Sequence, residues 1–426
     1  MVSKINFFNI FSKKDYLQFI AVLILSFLPL FFFMGTGVLN AAIIILDFIF
    51  IIEILSKKRL FFLKNYIFYS LLLLWVTLLI NVFFSIDPIN SFYRGFGFIR
   101  FVFFVMLIIY YFNLENKIFQ NTILFWWLSI FIVTSIDLIF EFINGKNILG
   151  FVSYMPGRLA GFFDDELIIG HFYYGFVLII IFSITFLFSE KKFFKNNKKF
   201  EFKNIIYLFI FIFLLISFLI GERSNFIKVF IMILLFTFLY DKKLFKLKII
   251  LFSSFFLIII LLLNSNPAYK NRFINQIFKP MYNYPIEYFN NSIYFQHYRT
   301  ALKVYDNNKM FGVGLKNYRI EVNKNIYKDL NASIHPHQVH FEFLSELGLV
   351  GYIFMILFFI FHFYKFRKNK PNNDNLNLSG LLFIITSLLP ILPSGSFFTS
   401  NAAALFWMNF AFMCLNQSKN NYDFFN

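Results

Sequence analysis

Apolar windows of about 18 to 20 residues recur along this 426-residue chain, and each is long enough to cross the hydrocarbon core of a bilayer. No water reaches that core, so a lone spanning segment satisfies its backbone groups internally and becomes a helix. Composition agrees. The chain is 59% hydrophobic and 14% charged, with a mean hydropathy of +0.69, outside the range of ordinary soluble domains. The expected fold class is therefore an all-α polytopic membrane protein. The 72 phenylalanines follow a general bias toward Phe, Ile, Asn and Lys and are not read as a cofactor box. Cys414 is the sole cysteine, which excludes an intramolecular disulfide framework.

Twelve spans are expected, near 17–34, 38–55, 65–85, 96–112, 121–142, 166–189, 204–220, 224–240, 249–263, 346–364, 378–394 and 397–415. The basic stretch 1–16 (Lys4, Lys13, Lys14) precedes the first, and no small-residue cleavage site follows it, so this span reads as an uncleaved helix. Orientation follows from lysine and arginine. With the N-terminus inside, the cytoplasmic segments hold 23 of the 39 basic residues, against four in the short outside loops: Arg94, Lys146, Arg158 and Arg223. The net charge of +17 is thus spent on topology, and nucleic-acid binding is not needed to explain it. Three units result: spans one to nine over 1–263, an external loop subdomain over 264–345, and spans ten to twelve with a cytoplasmic tail over 346–426. The loop is too long for a simple connection, and its Tyr and Pro clusters suggest a small fold of its own.

The stretch His335–Gly351, HPHQVHFEFLSELGLVG, holds three of the six histidines within six residues. His337, Phe341, Leu344 and Gly348 follow 4-3-4 spacing and are expected on one helix face, with Pro336 at the helix start and Ser333 as its cap. A zinc site would use His337 and His340, but no cysteine completes it. A polar cluster without chemistry also fits. The remaining reading is acid–base work, because a helix N-terminus disfavours protonation and keeps an imidazole neutral.

Charges at or near the outer face make up the rest. Arg94, Arg100, Arg158, Arg223 and Arg299 gather there, together with Asp164, Asp165 and Glu166. Arginine dominates this set while lysine dominates the cytoplasmic loops, and a planar fork suits bidentate phosphate recognition. Each member also has a plainer reading. Helix-end arginines snorkel or pair with carboxylates, and the acidic triplet fits a helix N-terminus. Asp137 and Glu141 fit a structural ion pair with an arginine. Asp47, Glu53, Lys228, His171, His297 and His362 fit structural partnerships. Gly312-Val313-Gly314 is a weak phosphate-loop signal without strand–turn–helix context.

Read in order, these segments resemble the bacterial O-antigen ligase/polymerase superfamily. His337-Gln338-Val339-His340-Phe341…Leu344…Glu346…Gly348…Gly351 is similar to its histidine signature, with Gln338 in place of the usual Asn and His340 in place of the usual aromatic. Arg158…Gly161…Asp165-Glu166, Gly221-Glu222-Arg223-Ser224, Arg299…Gly312…Gly314…Tyr318 and the loop Pro393–Phe397 resemble companion segments. The resemblance implies a C-type membrane glycosyltransferase of the bacterial inner membrane, with both termini cytoplasmic and the site periplasmic. It implies inverting chemistry without metal or cofactor. A glycan on undecaprenyl pyrophosphate would be the donor, and lipid A–core or another lipid-linked glycan the acceptor. By residue, it implies His337 with Asp165 or Glu166 in acid–base roles, and Arg158, Arg223 and Arg299 on the pyrophosphate. His335, His340 and Glu346 would support them. A lipid-linked sugar transporter is the alternative from another class, disfavoured because polar groups collect at one face and no repeat is evident.

Overall fold

A computed structural model describes residues 16–113, 117–189, 199–240, 244–330, 332–369 and 375–415. The basic N-terminus, most of the 190–203 lysine loop and the tail beyond 415 lie outside the described residues. Among the described residues every regular element is helical. Six helices are individually long and apolar enough to cross a membrane: Thr36–Ser56, Pro88–Asn113, Lys117–Asn144, Ile169–Leu187, Phe245–Ser265 and Val339–Lys368. Shorter apolar helices occupy Tyr16–Ser26, Tyr66–Val82, Ile205–Leu219 and Leu376–Ser387. This is a multi-pass helical membrane protein.

Several boundaries differ from the sequence expectation for local reasons. The first apolar run breaks at Phe27, because Pro29 has no N–H to carry a helix through and instead opens Leu28–Phe33. Asn65 and Asp87 cap the helices that follow them, through Phe68 N at 2.9 Å and through Ile89 N and Asn90 N at 3.1 and 3.2 Å. The expected span 378–394 stops helically at Ser387 and continues as a loop to Thr399.

Ile169–Leu187 is the central helix, with 89% of its apolar window buried; Phe245–Ser265 is peripheral at 22%. Depth in the bundle is paid in small residues and paired polar groups. A Cβ on Gly175 would meet Leu405 at 2.7 Å. Asn409 Nδ2 donates to Gly175 O at 3.0 Å, and Tyr174 OH donates to Phe383 O at 3.0 Å, binding the centre to the last two helices. Glu53, buried in a spanning helix, accepts from Tyr111 OH at 2.6 Å, Tyr110 OH at 3.0 Å and Lys57 Nζ at 2.7 Å. That is the satisfaction an intramembrane charge requires.

Asp137 and Glu141 correct the expectation of an arginine ion pair. Asp137 Oδ1 accepts from Ile148 N at 2.8 Å, and the Glu141 carboxylate accepts from Ala160 N at 2.7 Å and Gly161 N at 2.8 Å. Both carboxylates instead hold the backbone of the 147–161 loop by accepting from its amides. Residues 264–345 divide in two. Tyr269 and Phe273 pack on the main core, whereas Ala301, Val304, Val313, Tyr318, Val322 and Tyr327 form a second, smaller cluster.

Candidate active site

At one end of the bundle, Gly157 and Gly221 bring two loops into backbone contact. Both have φ of +75°, which L side chains rarely adopt, and a Cβ on Gly221 would lie 1.9 Å from Gly157 O. Leu159 N donates to Ile220 O at 3.1 Å beside this contact. The neighbours of the two glycines, Arg158 and Arg223, are thereby set side by side. Arg158 Nη2 pairs with Glu222 Oε1 at 2.7 Å and also donates to Leu167 O. Arg223 opens its helix and donates to Arg272 O at 3.1 Å.

Arg272 completes the group. It sits in a wide π-helical turn, Lys270–Phe278, with its side chain buried. Its Nε donates to Gly221 O at 2.7 Å. Burial, then the neighbouring Arg223 and Arg158, lowers its pKa to about 10. It stays charged at neutral pH while carrying the cost of two like charges, a cost an anion would relieve.

These three arginines line a cavity of about 1120 Å³ together with Glu166, His171, Glu222, His335, His337 and Ser394. The first residues of four helices, beginning at Thr36, Ile169, Arg223 and Ser400, contribute to or adjoin the same lining. Helix N-termini carry partial positive charge and unpaired amides, so the field there favours an anion twice over. Five lining residues keep a buried polar atom without a hydrogen bond inside the protein: Arg158 Nε, His171 Nε2, His335 Nε2, Ser394 Oγ and Asn401 Oδ1. Buried polar groups are normally paired. The cavity is therefore suited to a polar, anionic ligand.

His337 departs from its expected place. The helix begins at Val339, and His337 precedes it in the left-handed region at φ +57°. Ser333 Oγ lies 3.1 Å from His337 Nε2 and fixes that ring instead of capping the helix. The cap is Gln338, whose Oε1 accepts from His340 N at 2.7 Å and Phe341 N at 3.0 Å. The shared helix face ends as well, because Gly348 has φ +67° and breaks the helix. Met310 O, Gly312 and Glu346 crowd that break, and Val313 N and Gly314 N donate to Ser345 O and Glu346 O at 2.9 Å each. The Gly312–Gly314 segment thus latches a broken helix and is not free to cradle a phosphate.

The His297 ring stacks on His337 with centroids 5.0 Å apart, and the His335 ring packs tilted against it at 3.8 Å. Burial first, then His335 and His297, lowers the His337 pKa to about 3. The imidazole is neutral, but through burial and its neighbours, not through the helix dipole. Among the described residues no group of three His, Cys, Asp or Glu side chains is placed to hold a metal ion. A strap joins the two halves: Ser394 N donates to His337 O at 2.7 Å, and both Ser224 Oγ and Lys228 Nζ donate to Pro393 O.

The other candidates lie elsewhere. Arg299 is exposed, donates to Asn290 and is absent from the cavity lining; Arg272 occupies the place sequence reasoning gave it. His340 contacts Leu388 O at 2.8 Å, tying two helices together outside the cavity. Glu346 is buried in the helix break, outside the cavity too. Glu166 reaches the cavity and is exposed; Asp165 neighbours it in the turn Gly161–Glu166, its side chain outside the described set. Arg100 donates to Gly97 O at 2.9 Å and Arg94 to Phe398 O at 2.7 Å, both structural contacts.

No curated protein matches the chain. A family model described as O-antigen ligase matches residues 208–356, a segment that contains Arg223, Arg272, His335 and His337 but not Arg158. That match supports placing this membrane protein in the O-antigen ligase/polymerase superfamily.

Proposed function

We propose that the protein is an inverting, metal-independent glycosyltransferase that moves a glycan from undecaprenyl pyrophosphate to an acceptor hydroxyl at the periplasmic face of the inner membrane. The carrying observation is that Arg158, Arg223 and Arg272 line one cavity with His337. In this reading the acceptor oxygen attacks the anomeric carbon from the face opposite the pyrophosphate. A new C–O bond forms, the old glycosyl–oxygen bond breaks, and the electron pair leaves on the pyrophosphate. The three guanidiniums stabilise the charge that grows there. His337 orients the acceptor hydroxyl and takes its proton as the bond forms; a bound dianion nearby would raise its basicity toward the useful range. Glu166, with Asp165 beside it, is the second candidate for that proton.

We favour the ligase reaction on lipid A–core, with the polymerase reaction second; the two share the chemistry and differ in acceptor. Deleting the gene and running lipopolysaccharide on a gel separates them. Complete loss of long chains with lipid-linked polymer retained fits a ligase, and single-repeat products fit a polymerase. His337→Ala and Arg223→Ala should each reproduce the deletion while the protein still inserts. Wild-type ladders from both would remove this site from the mechanism.

A further inference from the structure

The segment that carries Arg272 continues into a run of short helices, Lys279–Asn283 and Pro285–Asn291, with no buried residue in either and several large apolar side chains exposed. Tyr282 is 79% exposed, Ile286 77% and Phe278 59%, and none of them lines the cavity. We propose that residues 278–293 form an interfacial arm, lying in the lipid headgroup layer and serving as the bilayer-side wall of the cavity.

Depth is the first argument. The arm is rooted where Arg272 Nε meets Gly221 O and Tyr269 OH meets Leu219 O. That is the level at which the chain turns between the helices Lys199–Leu219 and Arg223–Tyr240, hence the boundary of the hydrocarbon core. Continuity is the second. The peripheral helix Phe245–Ser265 leads through Pro267–Tyr269 and the π-helical turn Lys270–Phe278 into the arm, so the arm is joined to a lipid-facing helix. Composition is the third. Exposed Tyr, Phe and Ile with exposed Lys270 and Lys279 at the N-terminal end suit a layer that is apolar below and anionic above. The opposite side of the same arm, with Met281, Tyr284, Phe289 and Ile293, lines the cavity. It therefore separates the cavity from lipid. Given the transferase reading, this is the side on which a donor's hydrocarbon chain would run out into the bilayer.

The test uses the full-length protein in phosphatidylcholine vesicles containing about one quarter phosphatidylglycerol. Cys414 is buried and can stay. Tyr282→Cys and Ile286→Cys are labelled with an environment-sensitive nitrobenzoxadiazole probe, with Ile326→Cys on the second cluster as the water-exposed reference. Blue-shifted emission at 282 and 286, reduced roughly twofold by brominated lipid and unchanged at 326, is the expected result. Water-like emission without quenching at both positions overturns the arm, as does 282–282 cross-linking between two copies. Glycan transfer is not needed for the readout. A protein that transfers glycans without quenching defeats the arm alone, and one that is quenched without transferring defeats only the transferase reading.

Discussion

The two walls of the cavity are built on different physics. The arginine wall is assembled by close backbone approach: Gly157 against Gly221, with Arg272 donating to the same glycine's carbonyl. Its charges are fixed before any ligand arrives, and Glu222 offsets one of them. The histidine wall is a loop held by one hydroxyl, one strap bond and the packing of His335 and His297 against a neutral His337 ring. One wall is preorganised to receive negative charge, and the other is kept uncharged until something near it changes. Preorganised dipoles and charges stabilise a transition state without reorganising, whereas a proton acceptor has to be free to change state. The contrast suits a site in which leaving group and nucleophile need opposite treatment.

The largest effect should come from the joint in the arginine wall. Gly221→Ala puts a methyl into Gly157 O at a backbone angle alanine disfavours, and should cost on the order of 3 kcal/mol or more. Thermal unfolding in detergent checks it, and a wild-type melting curve would mean that the two walls are less different than described. Next, Arg272→Ala should lower transfer about 10- to 1000-fold, as loss of one transition-state donor does, while Arg299→Ala stays within a few-fold. Steady-state rates on a lipid-linked donor decide it; equal losses would return the third guanidinium to Arg299.

The smallest effect sharpens the histidine wall. The folded pKa of His337, about 3, lies below its ordinary 6.5. The stability gained by keeping it neutral is therefore whole above about pH 6.5 and declines as pH falls toward 3. The melting temperature should drop by a few degrees, about 2 °C or more, between pH 7 and pH 5, and His337→Gln should reduce that drop. An unchanged slope in the variant would mean that this half-buried imidazole is not what titrates.

Much of this protein is legible in one dimension. Hydropathy windows gave the helical membrane class because a bilayer leaves a spanning segment few alternatives. The arginines at 158 and 223 stood out because one lies in a short outside loop and the other at a span start, where lysine-poor outer-face segments make a charge notable, and the histidines because half of them fall in six residues. Arg272 gave no such signal. It is one of several basic residues in a long polar stretch, and only the wide turn it occupies points its side chain inward. Arg299, in a motif-like position, faces out because its helix buries His297, Tyr298, Thr300 and Ala301 instead.

Local pattern thus determined that the chain is a helical, multi-pass membrane protein and which residue types gather near one end, since both follow from solvent and spacing. Tertiary structure alone decided which arginine is third, that His337 stands outside its helix, and that Gly348 breaks it. Those outcomes depend on contacts between segments roughly fifty to sixty-five residues apart, namely Arg272 with Gly221, Ser394 with His337 and Gly157 with Gly221. Such contacts leave no periodicity in the sequence to read.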